Sequence, residues 1–138
     1  MPLTHLLDTS VLSQPIKDQP LPHVLERWSA LGDEAVCTSA ICIAEILQGL
    51  ESRASAKYWR RYRKLIQDRY RVLPFDADVA ATFARLGAEL SRQGTPRPAL
   101  DLMIAATASH HGLVVATLNA RDFGPISGVA VEDWAAAD

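Results

Sequence analysis

ALDLMIAATASHHGLVVATLNARDF, residues 99–123, decides how the rest of the chain is read. Leu100, Ile104, Ala105, Ala108 and His111 recur at helical spacing, Pro96 and Pro98 stand just outside the start, and Gly112 supplies a stop. Leu113–Thr117 is then a short apolar run with β-branched residues, the length of one buried strand. A helix, a tight turn and a strand run antiparallel, so the first turn of the helix returns beside the carboxyl end of the strand. That brings Asp101, the only formal charge within Pro98–Ala120, near Asn119 and Asp122. Ligands of open α/β sheets bind at this edge. The plain alternative is that Asp101 complements the helix dipole and Asp122 caps a short turn.

The 138 residues are expected to form one domain, 1–138, large enough for a sizeable core. Hydrophobic residues make up 49% and charged ones 22%, the balance of an ordered chain rather than a disordered one. A net charge of −2 gives no general affinity for nucleic acid, so the distribution of charge carries more than its sum. Cys37 and Cys42 sit in apolar surroundings and are too few for a disulfide framework; they read as buried free thiols of a reducing compartment. No basic segment followed by an apolar one opens the chain, and the longest apolar run is interrupted by Asp101, His110, His111 and Gly112. The expectation is a cytoplasmic protein with no membrane partner.

Working outward, Thr4–Leu7 is a candidate first strand ending at Asp8, the only charged side chain among the first sixteen residues. Thr9 and Ser10 follow, able either to cap a short helix or to hydrogen-bond a carboxylate. Asp8 could itself be no more than a helix cap, but it stands at the same strand edge that Asp101 approaches. Leu21–Leu31 is an amphipathic helix carrying Leu21, Val24, Leu25, Trp28 and Leu31, and Glu34–Thr38 is a second strand. In the helix Ala40–Leu50 the sole charge is Glu45, about 7–9 Å from the sheet edge at ~1.5 Å per residue. Helical side chains lean toward the amino end, so a long Glu reaches back where an Asp would not. An exposed face bearing one acid is the bland alternative.

Glu51–Arg71 reads as a mixed basic and aromatic helix, holding eight of the fourteen basic residues interleaved with Tyr58, Trp59, Tyr62 and Tyr70. It suits RNA phosphates and stacked bases, an acidic protein partner, or simply inward packing with snorkelling arginines. Arg71–Phe75 is a third strand, Asp76–Arg92 a helix capped by Asp76, and Val129–Val131 a short last strand. Gly87 inside that helix implies close packing against a neighbour. Alternating strands and helices with short connections predict an α/β fold, a three-layer α/β/α sandwich around a central, mainly parallel sheet.

Asp8, Glu45 and Asp101 are each alone in an apolar segment, and Asp122 follows a strand. Convergence of four carboxylates would oppose their ionisation unless a cation neutralises them. Oxygen donors without Cys or His select Mg²⁺ or Mn²⁺, whose chemistry suits displacement at a phosphodiester. A receiver-type phosphoacceptor or a haloacid-dehalogenase-like phosphatase would need further acids where Thr9 and Ser10 stand, and no glycine-rich phosphate loop, serine elbow or zinc spacing occurs. His110 and His111 lie at the far end of the helix from Asp101 and read as surface residues or dipole partners.

LLDTSVL near the start, SAICIAEILQGL in the middle and LDLMIAATASHHGLVVATLNARDF near the end resemble the PIN-domain ribonucleases, closest to the VapC and FitB type toxins of bacterial toxin–antitoxin pairs. The resemblance spans nearly the whole chain, in order and spacing. It implies Mg²⁺- or Mn²⁺-dependent RNA cleavage leaving a 5′-phosphate and a 3′-hydroxyl, a homodimer, and inhibition by a cognate antitoxin. Asp8, Glu45 and Asp101 match the three acids the family shares. The family's fourth position alternates between two sites, here Asn119, which carries no charge, and Asp122. Asp122 is accordingly expected to reach the metal through water, with Asn119 and Ser10 in orienting roles. A housekeeping RNA-processing nuclease and a catalytically silent binding module are the other readings.

Overall fold

The computed structural model describes residues 2–136. Five strands, β1 (His5–Leu7), β2 (Val36–Ser39), β3 (Arg71–Leu73), β4 (Val114–Thr117) and β5 (Ala130–Asp133), form one sheet in the order β3-β2-β1-β4-β5, with all four pairings parallel. Six helices connect them: α1 (Thr9–Leu12), α2 (Pro22–Leu31), α3 (Ala40–Arg53), α4 (Ala56–Leu65), α5 (Ala77–Arg92) and α6 (Ala99–His110). From β1 to β3 the chain steps outward in one direction, and from β3 it jumps back across β1 to β4. Parallel crossovers are right-handed, so that reversal sends the last helices to the opposite face and completes the α/β/α sandwich. It also makes the gap between β1 and β4 the point where the strand order switches.

Short polar signals join strand to helix at this edge. Ser39 ends β2 and caps α3 at once, its hydroxyl accepting from the Cys42 amide at 3.1 Å. Asp8 follows β1 and caps α1, and Asp76 caps α5. After β1 and β2 there are no loop residues to spare, so the register of each of these strands fixes the first turn of the helix after it. Buried Leu6, Leu7, Val36, Val115 and Ala116 of the strands meet Val11, Ile46, Leu86, Ile104 and Ala108 of the helices in one continuous core. Cys37 and Cys42 lie inside it as free thiols; burial pushes the Cys37 thiol up to about 12 and raises that of Cys42 as well.

Three sequence expectations are corrected. The basic stretch 51–71 is not one helix: α3 runs on to Arg53, Ala54 turns left-handed (φ 51°), and α4 covers only Ala56–Leu65. Leu100 and His111 do not join the core stripe of α6; both are exposed, and the inward residues are Leu102, Ile104, Ala105, Ala106, Thr107 and Ala108. A helix apolar on nearly every side gives periodicity little contrast to work with. The last strand lies one to two residues later than the apolar triplet suggests, ending at Asp133. No helix among the described residues is long and apolar enough to cross a membrane.

Gly87 explains how α5 and α6 approach: a Cβ there would stand 3.2 Å from Leu102 Cδ2. Gly87→Val is therefore expected to destabilise the fold by about 1–3 kcal/mol through overpacking, measured by urea denaturation.

Candidate active site

The switch point between β1 and β4 opens into a pocket of about 250 Å³ lined by Asp8, Thr9, Ser10, Ser13, Glu45, Asp101, Ile104, Asn119, Asp122 and Phe123. All six residues singled out from the sequence (Asp8, Ser10, Glu45, Asp101, Asn119 and Asp122) face this one space. Parallel pairing continues past the strands to place Asp8, one residue after Leu7↔Ala116, beside Thr117. The Asp8 amide donates to the Ala116 carbonyl at 3.1 Å and extends the ladder by one bond.

Asp8 is the most deeply set of the acids, only 4% exposed. Its Oδ1 accepts from the Ser10 hydroxyl at 2.6 Å and the Val11 amide at 3.1 Å, and its Oδ2 accepts from the Thr117 hydroxyl. The two hydroxyls are themselves aimed from behind, because Ser10 Oγ accepts from the Leu118 amide and Thr117 Oγ1 from the Asn119 amide, both at 2.9 Å. Hydroxyls that accept from the backbone have their protons left for the carboxylate. Capping and pocket-lining, which looked like alternatives in the sequence, are both performed by this one side chain. Burial pushes the Asp8 carboxyl up, and these hydrogen bonds offset only part of the shift.

Glu45 reaches back from α3 as its lean predicts, and the Thr9 hydroxyl donates to its Oε1 at 2.6 Å. Asp101 stands in the first turn of α6. Its carboxyl is pushed up first by burial and then by repulsion from Asp122, Glu45 and Asp8, with Arg97 pulling the other way. Asp122 closes the short 3-10 turn Ala120–Asp122, which Asn119 opens; both are exposed, and the Asn119 side chain makes no capping bond to that turn. The Arg97 guanidinium crosses to this segment, donating to the Gly124 carbonyl at 2.7 Å and to the Arg121 carbonyl at 3.4 Å. His110 and His111 are exposed at the other end of α6.

Sequence reasoning missed Thr117 and Arg97. A hydroxyl closing an otherwise apolar strand, directly across from the register position of Asp8, was the signal available for Thr117. Arg97 carried none, because its partners are backbone carbonyls.

The carboxylates offer oxygen donors only; burial first and then repulsion among them raise the Asp101 carboxyl, and a divalent cation would relieve the repulsion. Among the described residues no three His, Cys, Asp or Glu side chains are gathered tightly enough to hold an ion by themselves. The acids surround a space instead, which fits a cation that keeps several waters and takes few direct carboxylate ligands, the habit of Mg²⁺.

The chain matches the PIN domain family over residues 5–127. It is 36% identical over 132 residues to the tRNA(fMet)-specific endonuclease VapC of Salmonella typhimurium, covering 96% of this chain and 98% of that one. It is 33% identical over 135 residues to the toxin FitB of Neisseria gonorrhoeae, covering 94% and 97%. Its fold is similar to the crystal structure of FitAcB from Neisseria gonorrhoeae, with a TM-score of 0.86, 35% identity and coverage of 95% and 98%. The crystal structure of DNA-bound VapBC from Salmonella typhimurium gives a TM-score of 0.82 at 36% identity, covering 96% and 98%.

Two outcomes follow from the geometry. Thr117→Val removes a donor to a buried carboxylate and an acceptor for the Asn119 amide, and should cost about 1–3 kcal/mol in urea denaturation. Asp8 and Asp101 hold protons more tightly folded than unfolded, so stability in chelator falls as pH rises from 3.8 through their raised values. Asp101→Asn should therefore melt higher than the parent at pH 7 in chelator, and the gap should close at acid pH.

Proposed function

Because the chain belongs to the PIN domain family, we propose that it is a divalent-metal-dependent endoribonuclease, the toxin of a toxin–antitoxin pair. The observation that carries this reading is the meeting of Asp8, Glu45, Asp101 and Asp122 in one pocket at the carboxyl edge of the sheet. Asp8, Glu45 and Asp101 are the residues that would hold Mg²⁺ or Mn²⁺, directly or through the waters such an ion keeps, and Asp122 would complete the set through water. The chemistry such a cation would supply there is a coordinated water of lowered pKa and charge to offset that on the phosphoryl oxygens.

The protein's own part is positional. Ser10 and Thr117 fix the Asp8 carboxylate so that it does not rotate away, and Thr9 does the same for Glu45. Asp101 and Asp122 leave the outer side of the pocket open to a strand of RNA, and Asn119 adds an uncharged polar group there. Ile104 and Phe123 limit water on the inner side. The chain works in the cytoplasm as a homodimer, silenced by a cognate antitoxin. The solved VapBC and FitAcB structures support the last of these.

Purified protein incubated with total cellular RNA should cut it with Mn²⁺ and stop in chelator, leaving 5′-phosphate ends. Asp8→Asn, checked as folded by circular dichroism, should cut at background and lose calorimetric Mn²⁺ binding; undiminished cleavage would remove Asp8 from the mechanism. Toxicity on expression, relieved by a small neighbouring open reading frame, separates a toxin from a housekeeping nuclease.

A further inference from the structure

Three of the fourteen Lys and Arg residues gather around one tyrosine. Arg53 Cζ, Lys57 Nζ and Arg61 Cζ lie 4.7, 4.8 and 5.5 Å from the centre of the Tyr58 ring. The Asp18 carboxylate answers two of them and the tyrosine hydroxyl. Asp18 accepts from Arg61 Nη1 at 2.8 Å and from the Tyr58 hydroxyl at 2.8 Å, and pairs with Lys57 Nζ at 3.0 Å. Arg61, then Tyr58 and Lys57, hold the Asp18 carboxyl far below its ordinary range.

The group is open to solvent: the Asp18 and Lys57 side chains are 52% and 47% exposed. Exposed ion pairs contribute little net stability, so exchanging Asp18 for another anion costs little. With its aromatic face already covered by cations, Tyr58 is poorly placed to stack a base, and its hydroxyl points at an anion instead.

Position links this cluster to the acid pocket. Arg53 ends α3, eight residues beyond Glu45, or about 12 Å along the helix axis. Asp18 lies just past the 3-10 turn Gln14–Ile16, which follows pocket-lining Ser13, and Arg61 also donates to the Ile16 carbonyl at 2.8 Å. An acidic pocket by itself repels a polyanion, so RNA held there needs cations a few nucleotides away. We propose that Arg53, Lys57, Tyr58 and Arg61 form a phosphate-binding subsite for the RNA strand beyond the cut bond, with Asp18 as the internal anion that RNA displaces. The subsite rests on the nuclease reading for its substrate.

The test is fluorescence anisotropy in chelator, with a labelled mixed-sequence single-stranded RNA of about 12 nucleotides. Lys57→Ala/Arg61→Ala should weaken binding about 10-fold and flatten the slope of log K against log salt by about 1.4. Asp18→Asn should tighten it about 2–5-fold, an effect opposite in sign to the loss of a structural contact. If the double variant fails to fold, Arg53→Gln at the exposed end of α3 should still weaken binding about 2–3-fold. Parent-like affinity in the cation variants, or unchanged or weaker binding by Asp18→Asn, overturns the proposal. So does binding of a poly-glutamate peptide without RNA binding, which marks a protein-docking surface. Because no metal is present, RNA binding without Mn²⁺-dependent cleavage sinks the nuclease reading alone, and cleavage with cation-insensitive binding sinks the subsite alone.

Discussion

A carboxylate buried between two strands is the constraint from which the site follows. Asp8 continues the hydrogen-bond ladder of β1, caps α1 and accepts hydrogen bonds from Ser10 and Thr117, which belong to different strand–helix junctions. The seam between β1 and β4 is therefore tied by polar bonds at the point where Leu6 and Val115 tie it by burial below. Desolvation still raises the Asp8 carboxyl, so its ionised form is tolerated at a cost. An acid set in this way exchanges some stability for a fixed direction.

Topology supplies the remaining acids. A strand order that reverses beside β1 leaves a crevice that the ends of β1 and β4 must line. Ser39, serving as both strand end and helix cap, aims α3 so that Glu45 leans into it, and the antiparallel return of α6 to β4 brings Asp101 back to the same rim. Four like charges then share one pocket, and the Asp101 carboxyl is raised by its burial and, after that, by the other three. The cationic cluster at the end of α3 and on α4 packs against Ile16 and Asp18 and does not line that pocket, so the chain keeps its two charge excesses apart despite a small net charge.

Much of this is legible in the amino-acid sequence. Lone charges inside apolar segments identified Asp8, Glu45 and Asp101, and the helix–turn–strand unit placed Asp122 and Asn119 with them. Gly87 announced the close approach of α5 and α6. What stayed hidden depends on register and backbone. Thr117 matters only because Leu7 pairs with Ala116, and Arg97 only because two carbonyls turn toward it. The break at Ala54 escaped because alanine gives no warning of a left-handed turn, whereas the stop at Gly112, at φ 67°, was plain. Leu100 was misassigned since α6 offers apolar residues on almost every side.

The central claim is that these carboxylates share one divalent cation. Anomalous diffraction from crystals grown with Mn²⁺ addresses it most directly, since manganese locates itself without reference to activity. The account predicts a single strong peak inside the pocket, ligated directly or through one water by Asp8, Glu45 and Asp101. A manganese-saturated crystal with no peak there, or with these three acids turned away from the metal, would contradict it.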